Sequence, residues 1–280
     1  MARNYYYLVA GLPDLLIEGN KAAPSMVEGI EELAAQMHPD DAELARLLQA
    51  PFDNDNLLAV LQKRDAFDER GRYERSFLED EVRAPQSLPH YMHVFIEAHR
   101  SGNALFPGLS QRDQLNRLFY DALAGYPSEF IRQWFAFDRD LRNVLAALNC
   151  RKMGDGGGDD NDVYALRRVI IGGNEVADTL LRSNAPDFSL GQALPWMERV
   201  LSVRDREPVD REKAVDQLRW DMLDELTMFS YFGVETLLAF VVKLGIVERW
   251  SRLEPEAGRE RLRQLTEELV SGVSISEAFH

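Results

Sequence analysis

Between Phe130 and Leu148, six large apolar residues (Phe130, Trp134, Phe137, Leu141, Val144 and Leu148) alternate spacings of four and three. That is the a/d seam of a helix; a strand, whose faces repeat every second residue, has no use for it. The spacing predicts one long helix from about Ser128 to Met153, with a face buried against other helices. Such an element needs helical neighbours.

Start and stop signals for them run along the chain. Ser25 or Pro24 opens a helix through Met37, and Pro39-Asp40-Asp41 starts another that ends before Pro51. Asp53 or Asp55 reads as the cap of a helix through Leu57, Leu58 and Leu61. A helix from about His90 to Arg100 stops at Gly102. Ser110 with Asp113 forms a capping-box variant opening a helix with Leu115, Leu118, Phe119 and Leu123, which ends at Gly125-Tyr126-Pro127. Further helices are predicted at Glu175–Arg182, Leu190–Val203 (capped by Ser189), Asp210–Phe232, Glu235–Leu253 and Pro255–Ser271, before a short tail, Val273–His280. The first segment, Tyr5–Leu12, is aromatic and β-branched and suggests a short strand, though a buried first helix has a similar composition. The expected fold is all-α, or nearly so: a multi-helix bundle of repeated helical units with a possible short N-terminal strand. The acidic Gly/Asp stretch 155–162 reads as a linker between an N-terminal half, 1–154, and a C-terminal half, 163–280.

The unit repeat rests on an internal echo. Asn56-Leu-Leu-Ala-Val-Leu-Gln-Lys-Arg64 aligns without gaps on Asn143-Val-Leu-Ala-Ala-Leu-Asn-Cys-Arg151, and each follows an acidic pair, Asp53/Asp55 or Asp138/Asp140. A third stretch, Ala239-Phe240, Leu244 and Val247, repeats only the intervals of Ala136-Phe137, Leu141 and Val144. Amphipathic helices share Leu and Ala in any case. Related units would favour broad contact surfaces over one catalytic cleft.

Charge narrows the function. The 280 residues carry a formal charge of −15, which opposes binding to nucleic-acid phosphate or to an anionic membrane surface. Cys150 is the single cysteine, so no intramolecular disulfide and no Cys-based zinc site can form. That usage, the lack of an apolar run long enough to span a bilayer and the lack of a signal-peptide pattern fit a cytoplasmic setting. Any membrane association is expected to pass through a partner.

Candidate chemistry is sparse. His90, His93 and Glu97 fall on one helical face, which is metal-ligand spacing in principle. Such sites draw further ligands from other helices, and a polar helix face is the better account. The Asp155–Asp162 loop lacks the order and closing Glu of an EF-hand. Gly172-Gly173-Asn174 precedes a helix, where backbone N–H groups meet phosphates, but no Lys-Ser/Thr follows. A turn and an Asn N-cap fit better. Cys150 lies beside the a/d seam with no sequence-local base. No catalytic, cofactor-binding or metal residues are assigned, and no enzyme activity is expected. The Trp220–Trp250 segment is unusually dense in Trp, Met and Phe. It reads either as the most buried hairpin of the C-terminal half or as a partly exposed docking surface.

The opening Tyr5-Tyr6-Tyr7-Leu8-Val9-Ala10-Gly11-Leu12-Pro13 resembles the start of a bacterial family of undetermined function associated with V/A-type ATPase gene clusters. Leu218-Arg-Trp220, Phe229-Ser-Tyr-Phe232, Leu237-Leu-Ala-Phe240 and Arg249-Trp250 are similar to the same family. Asp140–Lys152 resembles a helix of the V/A-type ATPase C (or d) subunit, in which an acidic residue precedes Asn-Leu and the helix ends in Arg-x-Lys. Phe232–Trp250 is similar to a later helix of that subunit, with Ile246-Val-Glu-Arg-Trp250 in place of its Glu-x-x-Asn-x-Arg ending. The chain is shorter than that subunit.

The resemblance implies an all-helical adaptor that binds no nucleotide and couples the central stalk to the membrane rotor ring. Stalk and ring subunits would be its partners, at the inner face of the membrane. A helical assembly factor for the same ATPase, and a helical metal-dependent enzyme at His90, His93 and Glu97, are the alternatives.

Overall fold

The computed structural model describes residues 3–17, 24–153 and 165–252. Among them every regular element is a helix. The 155–162 linker, the Pro255–Ser271 helix and the tail lie outside the described residues.

The opening segment is not a strand. Residues Tyr6–Ala10 form a short helix, α1. Tyr5, Leu8, Val9 and Leu12 pack against the core while Tyr6 and Tyr7 face solvent. That is the three-and-four spacing of a helix, and no second strand among the described residues is present to take up the backbone groups a strand would leave open.

Local signals explain most of the following boundaries. In α2 (Met26–Ala34), the Ser25 hydroxyl accepts from the Glu28 backbone N–H (3.2 Å) while the Ser25 N–H donates to the Glu28 carboxylate (2.8 Å), a complete capping box. Pro39 occupies the first turn of α3 (Pro39–Leu47). α4 starts earlier than expected and spans Ala50–Leu61 with Pro51 in its first turn, so neither Asp53 nor Asp55 is its cap. α5 (Arg75–Arg83) has no counterpart in the sequence reading, because its only apolar residues are Phe77, Leu78 and Val82 in a mostly charged run. α6 (His90–Arg100) ends where Gly102 takes a positive φ of 67°, and α7 (Gln111–Leu123) starts at Ser110, whose hydroxyl accepts from the Asp113 N–H.

The seam helix is α8 (Glu129–Met153), and all six of its a/d residues are buried. α9 (Glu175–Arg182) is capped by Asn174 as expected. The predicted Leu190–Val203 helix shrinks to α10 (Met197–Val203). Pro195 cannot donate within a helix, and Ser189 sits at a φ of 60° in a turn held by Asp187. α11 runs Pro208–Thr227 and α12 runs Val234–Arg252.

α7 packs on α4, α6 and α8; α8 also meets α9 and α11; and α12 meets α11, α3, α2 and α1. The last described helix thus lies on the first ones. At the α2–α12 crossing a Cβ on Gly29 would collide with Leu244, and one on Gly245 would stand 3.1 Å from Met26 Sδ. Two glycines, one from each helix, set that close approach. Met26, Ile30, Leu141, Leu237 and Leu244 belong to one continuous core.

The echoed helices share more than composition. Asn56 is fully buried in α4; its amide donates to the Asp68 carbonyl (2.8 Å) and accepts from the Asp68 N–H (2.7 Å). Asn143 in α8 does the same to Ile171, at 2.8 and 2.9 Å. Each asparagine pins the backbone of the loop that leads into the next packed helix, α5 or α9. The third stretch is different: Ala239 is buried but its counterpart Ala136 is exposed.

Candidate protein-interaction surface

The sequence candidates occupy separate places in the fold. His90 and Glu97 are exposed on α6; His93 turns inward, its Nε2 3.9 Å from Glu81. Glu81 is itself committed to the backbone N–H groups of Gln86, Ser87 and Leu88. Burial pushes its carboxyl up, and those bonds with His93 more than offset this, leaving its pKa below the ordinary value. No group of three His, Cys, Asp or Glu side chains able to hold a metal forms among the described residues. Gly172 and Gly173 make room for the Arg117 guanidinium: a Cβ on Gly172 would lie 2.7 Å from it. Asn174 spends its side-chain oxygen on the α9 cap. Cys150 is half-buried on α8.

The sequence reading missed Asp53 as a buried acid. It is 3% exposed and borders a cleft of about 530 Å³ lined by Leu47, Met92, Leu118 and Leu123. Burial drives its pKa up to about 7, against backbone hydrogen bonds from Tyr73 (3.1 Å) and Arg72 and the charge of Arg72. A carboxyl in that range is a frequent mark of acid–base catalysis. Here it holds the 72–73 backbone in place, and no nucleophile or second titrating group among the described residues is hydrogen-bonded to it.

The feature that does stand out lies on the Trp220–Trp250 hairpin, which is buried along its second helix and exposed at its turn. Along α12, Leu237, Leu238, Phe240, Val241, Leu244 and Val247 are buried. At the α11–α12 turn, Met228, Phe229, Tyr231 and Phe232 are exposed, Phe229 at 88%. α1 extends this patch: Tyr6 meets the Phe232 ring at 4.8 Å between centroids, and Tyr7 beside it is 97% exposed. Side chains of this size cover apolar area that water hydrates poorly, and here they cluster at one end of a well-packed hairpin.

The patch is held from below. Asp216 in α11 is 1% exposed and accepts from Arg219 (2.9 Å), Trp250 Nε1 (2.7 Å) and Arg249, tying the helices together far from the turn. Lys243 joins them midway through Asp224 (2.5 Å) and lies over the Trp220 ring at 4.7 Å. At the turn, Ser230 donates to Glu235 (2.5 Å) and Thr236 to the Ser230 carbonyl. α1 is fastened separately. The Tyr5 N–H donates to the Phe232 carbonyl (2.7 Å), its hydroxyl donates to Asp41, and Arg3 reaches both Asp40 and Asp41 at 3.2 Å. Burial, then the bond to Asp41, raises the Tyr5 pKa, so the phenol stays protonated and keeps donating. The signal for α1 was the run of three tyrosines, whose outward pair only the helical conformation reveals.

These features define an all-helical molecule with a buried polar frame and one exposed aromatic surface. The chain belongs to the family described as "Protein of unknown function (DUF2764)", which it matches over residues 1–273. It is similar to an uncharacterized protein of Chlamydia muridarum (strain MoPn / Nigg), 27% identical over 153 residues, which are 54% of this chain and 55% of the relative. An uncharacterized protein of Chlamydia trachomatis serovar D is 26% identical over 153 residues, again 54% and 55% of the two chains. One from Chlamydia pneumoniae is 26% identical over 139 residues, 49% of this chain and 50% of the relative. The chain spans about half the length of the curated relatives it matches. No solved structure matches it. No helix among the described residues is long and apolar enough to cross a membrane.

Proposed function

We propose that this protein is a non-catalytic adaptor of a V/A-type rotary ATPase, similar in role to its C/d subunit. It links central-stalk and membrane-ring subunits from the inner side of the membrane, and its docking surface is the aromatic patch. The observation that carries the holding role is that patch: Phe229 and Tyr231 stand exposed on a hairpin locked by Asp216 and Lys243, with Tyr7 of α1 exposed beside them. An aromatic cluster on a held backbone suits protein contact, because aromatic side chains offer large area with few rotatable bonds to be fixed on binding. The address at the ATPase is supported by the resemblance of the Tyr5–Pro13 opening, of Asp140–Lys152 and of Phe232–Trp250.

Affinity purification of the tagged protein after mild solubilisation tests the address. ATPase stalk and ring subunits are expected with it in near-equal amounts, and Phe229→Ala/Tyr231→Ala should remove them. A protein that never co-purifies with ATPase subunits would sink this reading. Sub-stoichiometric recovery would move it to an assembly factor for the same complex.

A further inference from the structure

The surroundings of the aromatic patch are acidic in excess, with Arg3 and Lys243 already paired to Asp40, Asp41 and Asp224. From residue 4 to 37 the sequence has one cation, Lys21, against Asp14, Glu18, Glu28, Glu31 and Glu32; from 220 to 242 it has none against Asp221, Asp224, Glu225 and Glu235. The described parts of these stretches include α1, α2, the end of α11, the α11–α12 turn and the start of α12, the elements that bear the patch or border it. Tyr7 and Glu32 line the same groove between α1 and α2, with Leu12, Leu33 and Phe240 at its base. Arg199 and Lys243 neutralise Asp221 and Asp224, whereas Asp14, Glu32 and Glu225 are exposed and have no basic partner among the described residues. The apolar cluster thus lies on and beside elements that carry carboxylates without a basic partner among the described residues, on a chain whose whole formal charge is −15.

Resting on the adaptor reading above, we propose that this surface takes a basic, apolar-anchored segment of a partner protein: an amphipathic stretch whose aromatic or aliphatic side chains meet Tyr7, Phe229, Tyr231 and Phe232 while flanking Lys or Arg residues meet Glu32, Glu225 and Asp14. Charge selects this occupant. A second copy of the chain would bring the same carboxylates into register across a two-fold axis, and an anionic lipid surface would meet the same repulsion. A basic segment gains attraction from the rim, which steers it in and weakens with salt, while the aromatic centre supplies most of the affinity.

The test uses the full chain and two fluorescent peptides of about 20 residues with an identical Leu/Trp face, one with Lys and Arg on its polar face and the other with Glu. Fluorescence anisotropy should show the basic peptide binding at least about tenfold more tightly, with affinity falling as salt rises from about 50 to about 500 mM. Phe229→Ala/Tyr231→Ala should weaken the basic peptide by about tenfold or more, and Glu32→Lys/Glu225→Lys by several-fold. All four side chains point to solvent, and circular dichroism checks that each variant remains folded. Equal binding of the two peptides, no binding of either, or binding indifferent to the patch substitutions would overturn the proposal. So would a dimer that dissociates on Phe229→Ala, or capture by phosphatidylserine vesicles. The two readings separate cleanly. ATPase subunits recovered through the patch without preference for the basic peptide would reject this partner chemistry alone; a strong preference without ATPase recovery would reject the address alone.

Discussion

At the scale of single residues, the buried acid Asp53 makes the clearest prediction. Its folded pKa of about 7 stands above the ordinary carboxylate value of 3.8, so between those limits the folded state holds a proton that the unfolded state has lost. Its contribution to stability is greatest below about pH 4 and is lost as pH rises through about 7; integrated, the loss approaches ~4 kcal/mol. Asp53→Asn keeps an oxygen to accept from the Tyr73 N–H but cannot ionise. Thermal melts should show its melting temperature rising relative to the parent between pH 5 and pH 8. A constant difference between the two proteins across that range would mean that Asp53 is not the titrating group.

At the scale of elements, the paired asparagines explain why two stretches of sequence look alike. Asn56 and Asn143 each satisfy both polar groups of one loop residue inside the core, and leaving such groups unpaired costs about 1–3 kcal/mol apiece. Asn143→Ala should therefore destabilise the protein by about 2–5 kcal/mol. Amide exchange should accelerate first around residues 170–175, with the loop near Asp68 following only in global unfolding. Asn56→Ala should give the mirror image. Exchange that rises uniformly in both variants would refute the idea of two separately pinned units. The echo was legible in the sequence as shared letters; the role of its asparagines was not, because Asp68 and Ile171 lie at different distances along the chain from them.

At the scale of the whole molecule, the balance of charge matters more than any one pair. Many arginines are engaged by carboxylates, yet the formal charge remains −15, and self-repulsion of that size opposes the compact state. Raising salt from about 20 to about 300 mM should screen it and raise the melting temperature by a few degrees. A fall instead would show that the surface ion pairs outweigh the excess of negative charge.

The sequence by itself determined that the chain is helical, where most helices start, and that α8 has a buried seam. Those are properties of local spacing and capping: Ser25, Ser110 and Asn174 cap as their neighbours require, and Phe130 to Leu148 share one side whatever lies opposite. Only the tertiary structure decided that the opening segment holds a helix, Tyr6–Ala10, that α5 exists, that Asp53 is interior and that the α11–α12 hairpin is buried along α12 and exposed at its turn. Apolar residues look the same in a core and on a docking surface; what separates them is whether another element covers them, as α2 and α3 cover α12 and nothing among the described residues covers Phe229.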